Sequence, residues 1–370
     1  EWLKRLTTVN VDKRLISLQV PSVWEHILLG QSLHQLPGDW HWQVYEARLR
    51  RNKLQKVLIQ VMHTGRPEAR RETQAMQRLF LVRSSQHECV GHVQSFFESL
   101  VVGNKTFFMM EPANPWFIQA SEDWAHGAPR TSRANAGWEV YIPLSKSLLL
   151  LIDILRGLLA LEDAGLIHAA VRPEHIYLKK GRALVGGLAY TCNMFGSDEL
   201  GCGGFRDMPP QMLDMTSPFW QAPEISDGAP TGFSNHPWGA GMMFAYMCLG
   251  YNPTVDDVLA HDRDVMLWDQ EYATRQRVRR HLRTHFAIEG DPNFAKLGLG
   301  ERRLLSGMLA KDPLVRWDTR EALAEAERLA AERRIRVPPP REAAIAPAPL
   351  SGSRRATFTF PPDLLETAWQ

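Results

Sequence analysis

The first third of the chain alternates apolar runs with turn residues. The runs at 44–49 and 56–62 are rich in β-branched and aromatic residues and predict two strands joined by a basic link. Residues 68–82 place Ala, Met, Leu and Phe at helical spacing and predict a helix. Two further apolar runs flank Gly103–Asn104, a pair typical of a hairpin turn. The pattern predicts a strand-rich N-terminal part that contains one helix.

Longer apolar segments follow in the rest of the chain. Ser147–Ala164 is almost continuously apolar and ends at Gly165, which predicts a buried helix with a glycine at its C-terminus. A Gly-, Met- and Pro-rich stretch at 190–216 predicts a loop. The pattern also predicts two short strands, at 176–178 and 183–185. It predicts three more helices, at 238–249, 302–310 and 319–334.

Two segments show no periodicity. Residues 111–142 are rich in Pro, Gly, Ser and Trp and predict a long surface insertion. Its tryptophans are expected to pin the insertion to the body of the protein, with a partner site as the alternative. Beyond Val337 the chain is rich in Pro and Ala, which predicts an extended tail.

Composition and charge indicate a soluble globular protein. Apolar residues make up 44% of the chain and charged residues 23%, with a net charge of +2. This near-neutral balance gives no indication of a nucleic-acid partner. The longest apolar run, Met242–Leu249, is too short to span a bilayer. The chain begins at Glu1 without a signal-type run, so we expect any targeting segment to lie outside this sequence.

The four cysteines fit two disulfides or none. Cys192 and Cys202 lie close together in the predicted loop and could form a disulfide that closes a short ring. Buried free thiols are the equal alternative. No Cys or His cluster has zinc-ligand spacing, so no structural metal is expected.

Five short segments occur in an order that carries information about the fold. They are His168–Leu178, Leu184–Ala189, Ser217–Glu224, His236–Gly241 and Met308–Arg316. In order and spacing they resemble the protein-kinase catalytic loop, the Asp-Phe-Gly segment, the Ala-Pro-Glu end of the activation segment, the Asp-x-Trp-x-x-Gly helix start and the late Asp-Pro-x-x-Arg motif. Each motif alone is weak, but five in the family's order make a strong signal.

The resemblance implies an α+β, bilobal, protein-kinase-like fold with a small β-rich N-lobe and a larger helical C-lobe. It implies that Glu224 and Arg316 form a buried ion pair, and that His168 and Trp238 are structural. The resemblance implies an N-terminal extension at 1–24 and an N-lobe at 25–110. It implies a C-lobe at 111–336, with the insertion at 112–142, and a Pro/Ala-rich tail at 337–370.

Phosphoryl transfer requires a phosphate cradle, a lysine on the phosphates, metal ligands and a base near the acceptor hydroxyl. In the region of the phosphate cradle, Gly30–Trp40 contains no Gly-x-Gly-x-x-Gly. The phosphate lysine aligns with Gln60, whose expected helix partner is Glu72. Leu58 takes the place of an alanine and is expected to project toward the adenine position.

The catalytic-loop positions are changed as well. The base aspartate aligns with Ala170 and the metal-binding asparagine with His175, which we interpret as packed or solvated. The Asp-Phe-Gly trio aligns with Val185, Gly186 and Gly187, and valine offers magnesium no oxygen ligand. The resemblance therefore implies a pseudokinase that has no catalytic residues, cofactor or metal.

Three functions follow as hypotheses. The first is a non-catalytic scaffold for unidentified protein partners, without nucleic acid or a membrane span. The second is a pseudokinase that binds nucleotide as a structural support, and the third is an enzyme with rearranged chemistry. The sequon at Asn104 is interpreted as a hairpin turn, with glycosylation as the alternative.

The missing glycine loop and the long insertion resemble one branch of the kinase superfamily. This branch is the secreted rhoptry-kinase family of apicomplexan parasites, in the subset without a glycine loop. The resemblance implies secretion into the parasitophorous vacuole or the cyst wall.

Overall fold

The computed structural model of the chain has a mixed α+β fold, as predicted. It describes residues 8–10, 15–18, 27–35, 42–49, 56–63, 72–73, 75–76, 79, 89–115, 142–193, 218–224, 232–250, 252–254, 280–282, 284–344 and 356–359. These residues divide into two compact units. The sheet unit takes its described residues from Glu1–Thr73, Gln94–Ala113 and Ala344–Gln370, and the helical unit from Gln74–Val93 and Asn114–Ala343.

The strands and α-helices of the two units have the following bounds. The strands are β1 (Thr8–Asn10), β2 (Leu15–Leu18), β3 (Ile27–Gln35), β4 (Trp42–Leu49), β5 (Lys56–His63), β6 (Phe96–Val102), β7 (Lys105–Met110), β8 (Asn114–Pro115), β9 (Leu166–His168), β10 (Ile176–Lys179), β11 (Arg182–Val185), β12 (Thr191–Asn193) and β13 (Ala356–Thr359). The α-helices whose two ends lie within the described residues are α1 (Leu144–Asp163), α2 (Asn235–Leu249), α3 (Leu299–Met308) and α4 (Thr319–Glu332). The described residues of the predicted helix 68–82, at 72, 73, 75, 76 and 79, are helical as well.

The sheet unit contains a five-stranded antiparallel sheet with the strand order β3-β4-β5-β7-β6. Its central strand β5 is buried from Val57 to Met62, because both faces of that strand are covered. β6 and β7 pair on either side of Gly103 and Asn104, which confirms the predicted hairpin. A second sheet has the order β1-β2-β13.

Helix α1 forms the centre of the helical unit. Its apolar side chains point to all sides and are buried, so it packs at once against α2, α4 and β11. The helix ends at Asp163, and Gly165 follows with a φ of 69°. A positive φ favours glycine, and the predicted glycine-terminated helix is therefore confirmed.

The remaining helices lie close to their predicted positions. Helix α2 starts three residues before the predicted Trp238 and ends at Leu249, as predicted. Helix α4 starts as predicted because the Asp318 side chain accepts from the Glu321 amide while the Glu321 side chain accepts from the Asp318 amide. Within the described residues, no helix is both long and apolar enough to cross a membrane.

Some predictions differ from the structure, and others fall outside the described residues. Strand β12 lies inside the predicted loop 190–216, and β13 lies inside the predicted tail. The predicted disulfide between Cys192 and Cys202 falls outside the described part of the chain, which includes neither Cys202 nor the side chain of Cys192. The same holds for most of the predicted insertion, at 116–141.

Candidate functional site

The sheet unit holds Gln60 and Leu58, the two β5 residues singled out by the kinase resemblance. Gln60 is fully buried, and its amide Nε2 donates to the Met62 sulfur at 3.4 Å. Leu58 is 3% exposed and lies opposite Glu46 on β4 and Met110 on β7. Glu72, the expected helix partner of Gln60, is also fully buried. At the position that the resemblance assigns to the phosphate lysine, the chain therefore has an uncharged and buried glutamine side chain.

In the helical unit, His168 ends β9 and fixes the loop that follows. Its Nδ1 accepts from the Ala170 amide at 3.2 Å, so its Nε2 carries the proton and donates to the Gly186 carbonyl at 2.8 Å. Complete burial lowers the His168 pKa to about 4, although the Gly186 hydrogen bond opposes the shift. His168 is therefore a neutral bridge between the 168–170 turn and the end of β11.

His175 occupies the position that the resemblance assigns to a metal-binding asparagine. Its Nδ1 donates to the Ala170 carbonyl at 2.5 Å, and its ring stacks on Tyr190 with the centroids 5.2 Å apart. Gly187 has a φ of 66°, and a Cβ there would lie 2.5 Å from the His175 ring. Burial places the His175 pKa well below its usual range, with Arg172 adding to the effect. The imidazole fills this space as a neutral packed group.

Val185 and Gly186 stand where the resemblance places the metal aspartate and its neighbour. Val185 is fully buried, and its Cγ2 lies 2.7 Å from the point where a Cβ on Gly157 of α1 would be. The Gly186 amide donates to the His175 carbonyl at 2.8 Å. This close packing depends on a glycine in the helix, because any larger residue would displace the Val185 side chain or the helix.

His236 lies where the kinase resemblance places the aspartate at the start of the central helix. Its Nε2 accepts from the His168 amide at 2.7 Å, and its Nδ1 donates to a Glu162 oxygen at 2.9 Å. The Thr319 hydroxyl donates to the same carboxylate oxygen. Sequence reasoning missed Glu162 and Thr319, since Glu162 lies in the last turn of α1 and far from His236 in the chain. Carboxylate and imidazole together hold the backbone of the 168 loop.

A second anchor joins distant parts of the helical unit. Arg316 donates from both terminal nitrogens to the two oxygens of Glu224, at 2.6 and 2.9 Å. The Arg316 side chain is fully buried, and its guanidinium lies 5.0 Å from the Trp238 ring centroid. Trp238 is fully buried beside Phe286, with the two ring centroids 5.9 Å apart. This group ties the 218–224 turn to the loop before α4.

This region combines the neutral, buried rings of His168 and His175 with the hydrogen-bonded charged groups of Glu162, Glu224 and Arg316. Among the described residues, no three His, Cys, Asp or Glu side chains are arranged to hold a metal ion. The chain matches no protein-family model, and a search of the curated proteins finds no match. The inference about function therefore depends on the residues themselves.

The Glu162 carboxylate offers a direct test of this network. Replacing Glu162 with alanine leaves the His236 Nδ1 proton and the Thr319 hydroxyl without their acceptor. We expect the free energy of unfolding to fall by about 1–3 kcal/mol, measured by urea denaturation. The matched control is the neighbouring Asp163→Ala, which breaks an exposed ion pair with Arg320 and should change the free energy of unfolding by at most about 1 kcal/mol. Equal effects of both variants would contradict a supporting role for Glu162.

Proposed function

We propose that the chain is a pseudokinase, with a bilobal protein-kinase-like fold that serves as a protein-interaction scaffold and does not transfer phosphate. The observation that carries this proposal is Val185. At the position of the magnesium aspartate, the chain has a fully buried apolar side chain that fits against Gly157. Magnesium binds oxygen ligands, and the Val185 side chain has none. The packing of Val185 in the core therefore supports the loss of metal-dependent phosphoryl transfer.

The other aligned positions support the same proposal. Ala170 is 4% exposed and carries no group able to accept a proton from a substrate hydroxyl. His175 is committed to the Ala170 carbonyl and to the Tyr190 ring. Gln60 removes the positive charge that phosphates require. The ion pair between Glu224 and Arg316 is present. The resemblance to kinases therefore extends to a pair of residues that stabilises the fold in that family.

Within the kinase superfamily, we propose the secreted rhoptry-kinase family and its subset without a glycine loop. The chain resembles in particular bradyzoite pseudokinase, a secreted protein of the parasite cyst wall. A feature of β3 and β4 is consistent with this branch. Residues Ile27–Gln35 form a continuous strand with register shifts against β4, in the region where active kinases carry their glycine-rich loop.

Thermal unfolding with and without nucleotide tests the proposal. We expect no change in the melting temperature on adding millimolar ATP with magnesium or manganese, measured beside an active kinase as the positive control. A ligand that binds only the folded state, at about 100 times its dissociation constant, would stabilise it by roughly 2.7 kcal/mol, which is easily visible. A metal-dependent shift would contradict the proposal and lead to phosphotransfer assays.

A matched variant separates the roles of Leu58 and the lost metal ligands. Leu58→Ala removes the side chain expected at the adenine position and leaves Val185 in place. A metal-independent shift in wild type would favour a nucleotide used as a structural support, and would mean that Leu58 does not block adenine. A shift only in Leu58→Ala would support the blocking role of Leu58.

A further inference from the structure

The chain that follows α4 runs extended across the surface of the helical unit. We name the stretch Val337–Glu342 the C-terminal segment. It has no regular secondary structure and contains three consecutive prolines. Arg156 donates to the Pro338 carbonyl at 3.0 Å, and Arg182 donates to the Pro339 carbonyl at 3.3 Å. Two arginines of the unit therefore bind two successive backbone carbonyls of the segment.

The end of the segment is held by a second pair of residues. The Arg341 amide donates to His92 Nε2 at 3.0 Å, and the Arg341 guanidinium donates to the Gly91 carbonyl at 2.8 Å. A Cβ on Gly91 would lie only 1.6 Å from the Arg341 carbonyl oxygen. The backbones therefore approach so closely that only glycine fits at position 91. Three of these four hydrogen bonds involve backbone groups of the segment, and the fourth is donated by the Arg341 side chain.

The residues that contact the segment are fixed by contacts outside it. The Asp153 carboxylate accepts two hydrogen bonds from Arg182, both at 2.8 Å, and lies 3.3 Å from His92 Nδ1. Arg156 pairs with Glu327 at 2.8 Å. Asp153 is almost fully buried in α1 and His92 is fully buried. The donors and acceptors therefore keep their positions through the unit itself, as in a preorganised binding site.

We propose that this surface is a binding site for extended proline-rich peptides, occupied in cis by the chain's own C-terminal segment. The residues that form it are Gly91, His92, Arg156 and Arg182. Prolines favour the extended polyproline conformation before binding, so little conformational entropy is lost, and their carbonyls remain available as acceptors. The arginine after the prolines adds selectivity through the Gly91 carbonyl.

This inference does not depend on the pseudokinase proposal, although the site adjoins Val185, which lies on the same strand as Arg182. It predicts that the segment is exchangeable. A peptide of the same chemistry, with several prolines followed by arginine, competes for the site with the tethered segment. The tether gives the cis segment an effective concentration on the order of millimolar, so a free peptide displaces it only at high concentration.

The test uses full-length chains. In the vacated variant, residues 338–341 are replaced by Gly-Ser-Gly-Ser, which keeps the chain length unchanged. Binding of a fluorescent peptide of residues 335–344 is measured by anisotropy. We expect this peptide to bind the vacated variant at least about tenfold more tightly than it binds wild type, because no cis segment competes. A peptide with Arg341→Ala should bind more weakly.

A second substitution locates the binding site. Adding Gly91→Ala to the vacated variant should abolish binding, because the new methyl group takes the place of the Arg341 carbonyl. Gly290→Ala is the matched control, since a Cβ there meets nothing within 4 Å. Failure of a folded vacated variant to bind the peptide would overturn the proposal, and so would equal binding of a scrambled peptide.

Hydrogen exchange in the wild-type chain decides the question if the vacated variant does not fold. The Arg341 amide is bonded to His92 and should exchange slowly. An excess of free peptide of residues 335–344, at several millimolar, should accelerate its exchange by displacing the segment. An exchange rate that is unchanged by the peptide would overturn the proposal.

Discussion

Replacing Arg316 with methionine is expected to lower the free energy of unfolding by about 3–5 kcal/mol, the effect of removing one partner of a buried ion pair. The substitution leaves the Glu224 carboxylate 13% exposed and without its two donors. It also removes hydrogen bonds to the Ala310 and Ser234 carbonyls. Urea denaturation monitored by tryptophan fluorescence measures the change, because Trp238 lies beside the lost guanidinium.

Two further variants separate the ion pair from the other contacts of Arg316. Glu224→Gln keeps the shape of the side chain and removes its charge, so it isolates the charged part of the pair. Arg328→Met is the matched control on the surface of α4. Arg328 pairs with Glu325 and Glu332 but is 42% exposed, so its loss should change stability by at most about 1 kcal/mol. Similar effects of Arg316→Met and Arg328→Met would contradict the buried-pair argument.

The sequence was most informative where a pattern is strong and local. The run Ser147–Ala164 predicted α1 because its leucines and isoleucines are interrupted by few charged residues and a glycine follows the run. Strands β4 and β5 were predictable because their apolar residues are bounded by turns or charged residues. The resemblance paired Glu224 with Arg316 across 92 positions, and the two side chains lie 2.6 Å apart. Spacing alone would not have joined them.

Elements that depend on a distant partner were missed. Strand β12 has three residues and forms only because Thr191–Asn193 pairs with β9. Strand β13 likewise depends on β2, more than 300 positions away in the chain. Short strands of this kind are stabilised by tertiary context, which local propensity does not contain. The composition of the surrounding segments predicted a loop around β12 and an extended tail around β13, with no strand in either.

The roles of Glu162 and of the Pro-rich stretch could not be predicted from the sequence for a related reason. Glu162 is typical of a solvated residue at a helix end, and its role depends on His236 and Thr319. The Pro-rich stretch after Val337 is typical of a solvated tail. Its contact with the helical unit depends on the missing side chain of Gly91. In both cases the role of a residue depends on a contact with a partner that is distant in the sequence.

Acidification from pH 7 to pH 4 is expected to destabilise the chain strongly through its buried histidines. Burial lowers the pKa of His92 and of His168 to about 4, from an ordinary value of 6.5. Between these values the unfolded chain binds protons that the folded chain does not, so stability is full above pH 6.5 and falls as the pH drops toward 4. Each histidine should contribute about 3 kcal/mol to this loss.

The groups around each histidine explain why neither charges easily. His92 is buried near one favourable charge, Asp153, but also faces the guanidinium groups of Arg182, Arg156 and Arg341. Protonating its Nε2 would also break the hydrogen bond from the Arg341 amide. His168 accepts at Nδ1 from a backbone amide, so a second proton has no acceptor there. Both rings are therefore held neutral by geometry as well as by burial.

The measurement is the free energy of unfolding from urea titrations at several pH values between 7 and 4, together with the imidazole NMR resonances of the folded chain. His92→Gln should reduce the dependence of stability on pH by roughly one proton, because it removes one group that titrates only after unfolding. His285→Gln, on an exposed residue, is the matched control. Resonances of His92 and His168 that titrate near pH 6.5 in the folded chain would contradict this account. If instead they stay unchanged down to about pH 5 while stability falls, the neutral histidines carry the acid sensitivity, and acid then weakens the site of the C-terminal segment and the 168 loop together.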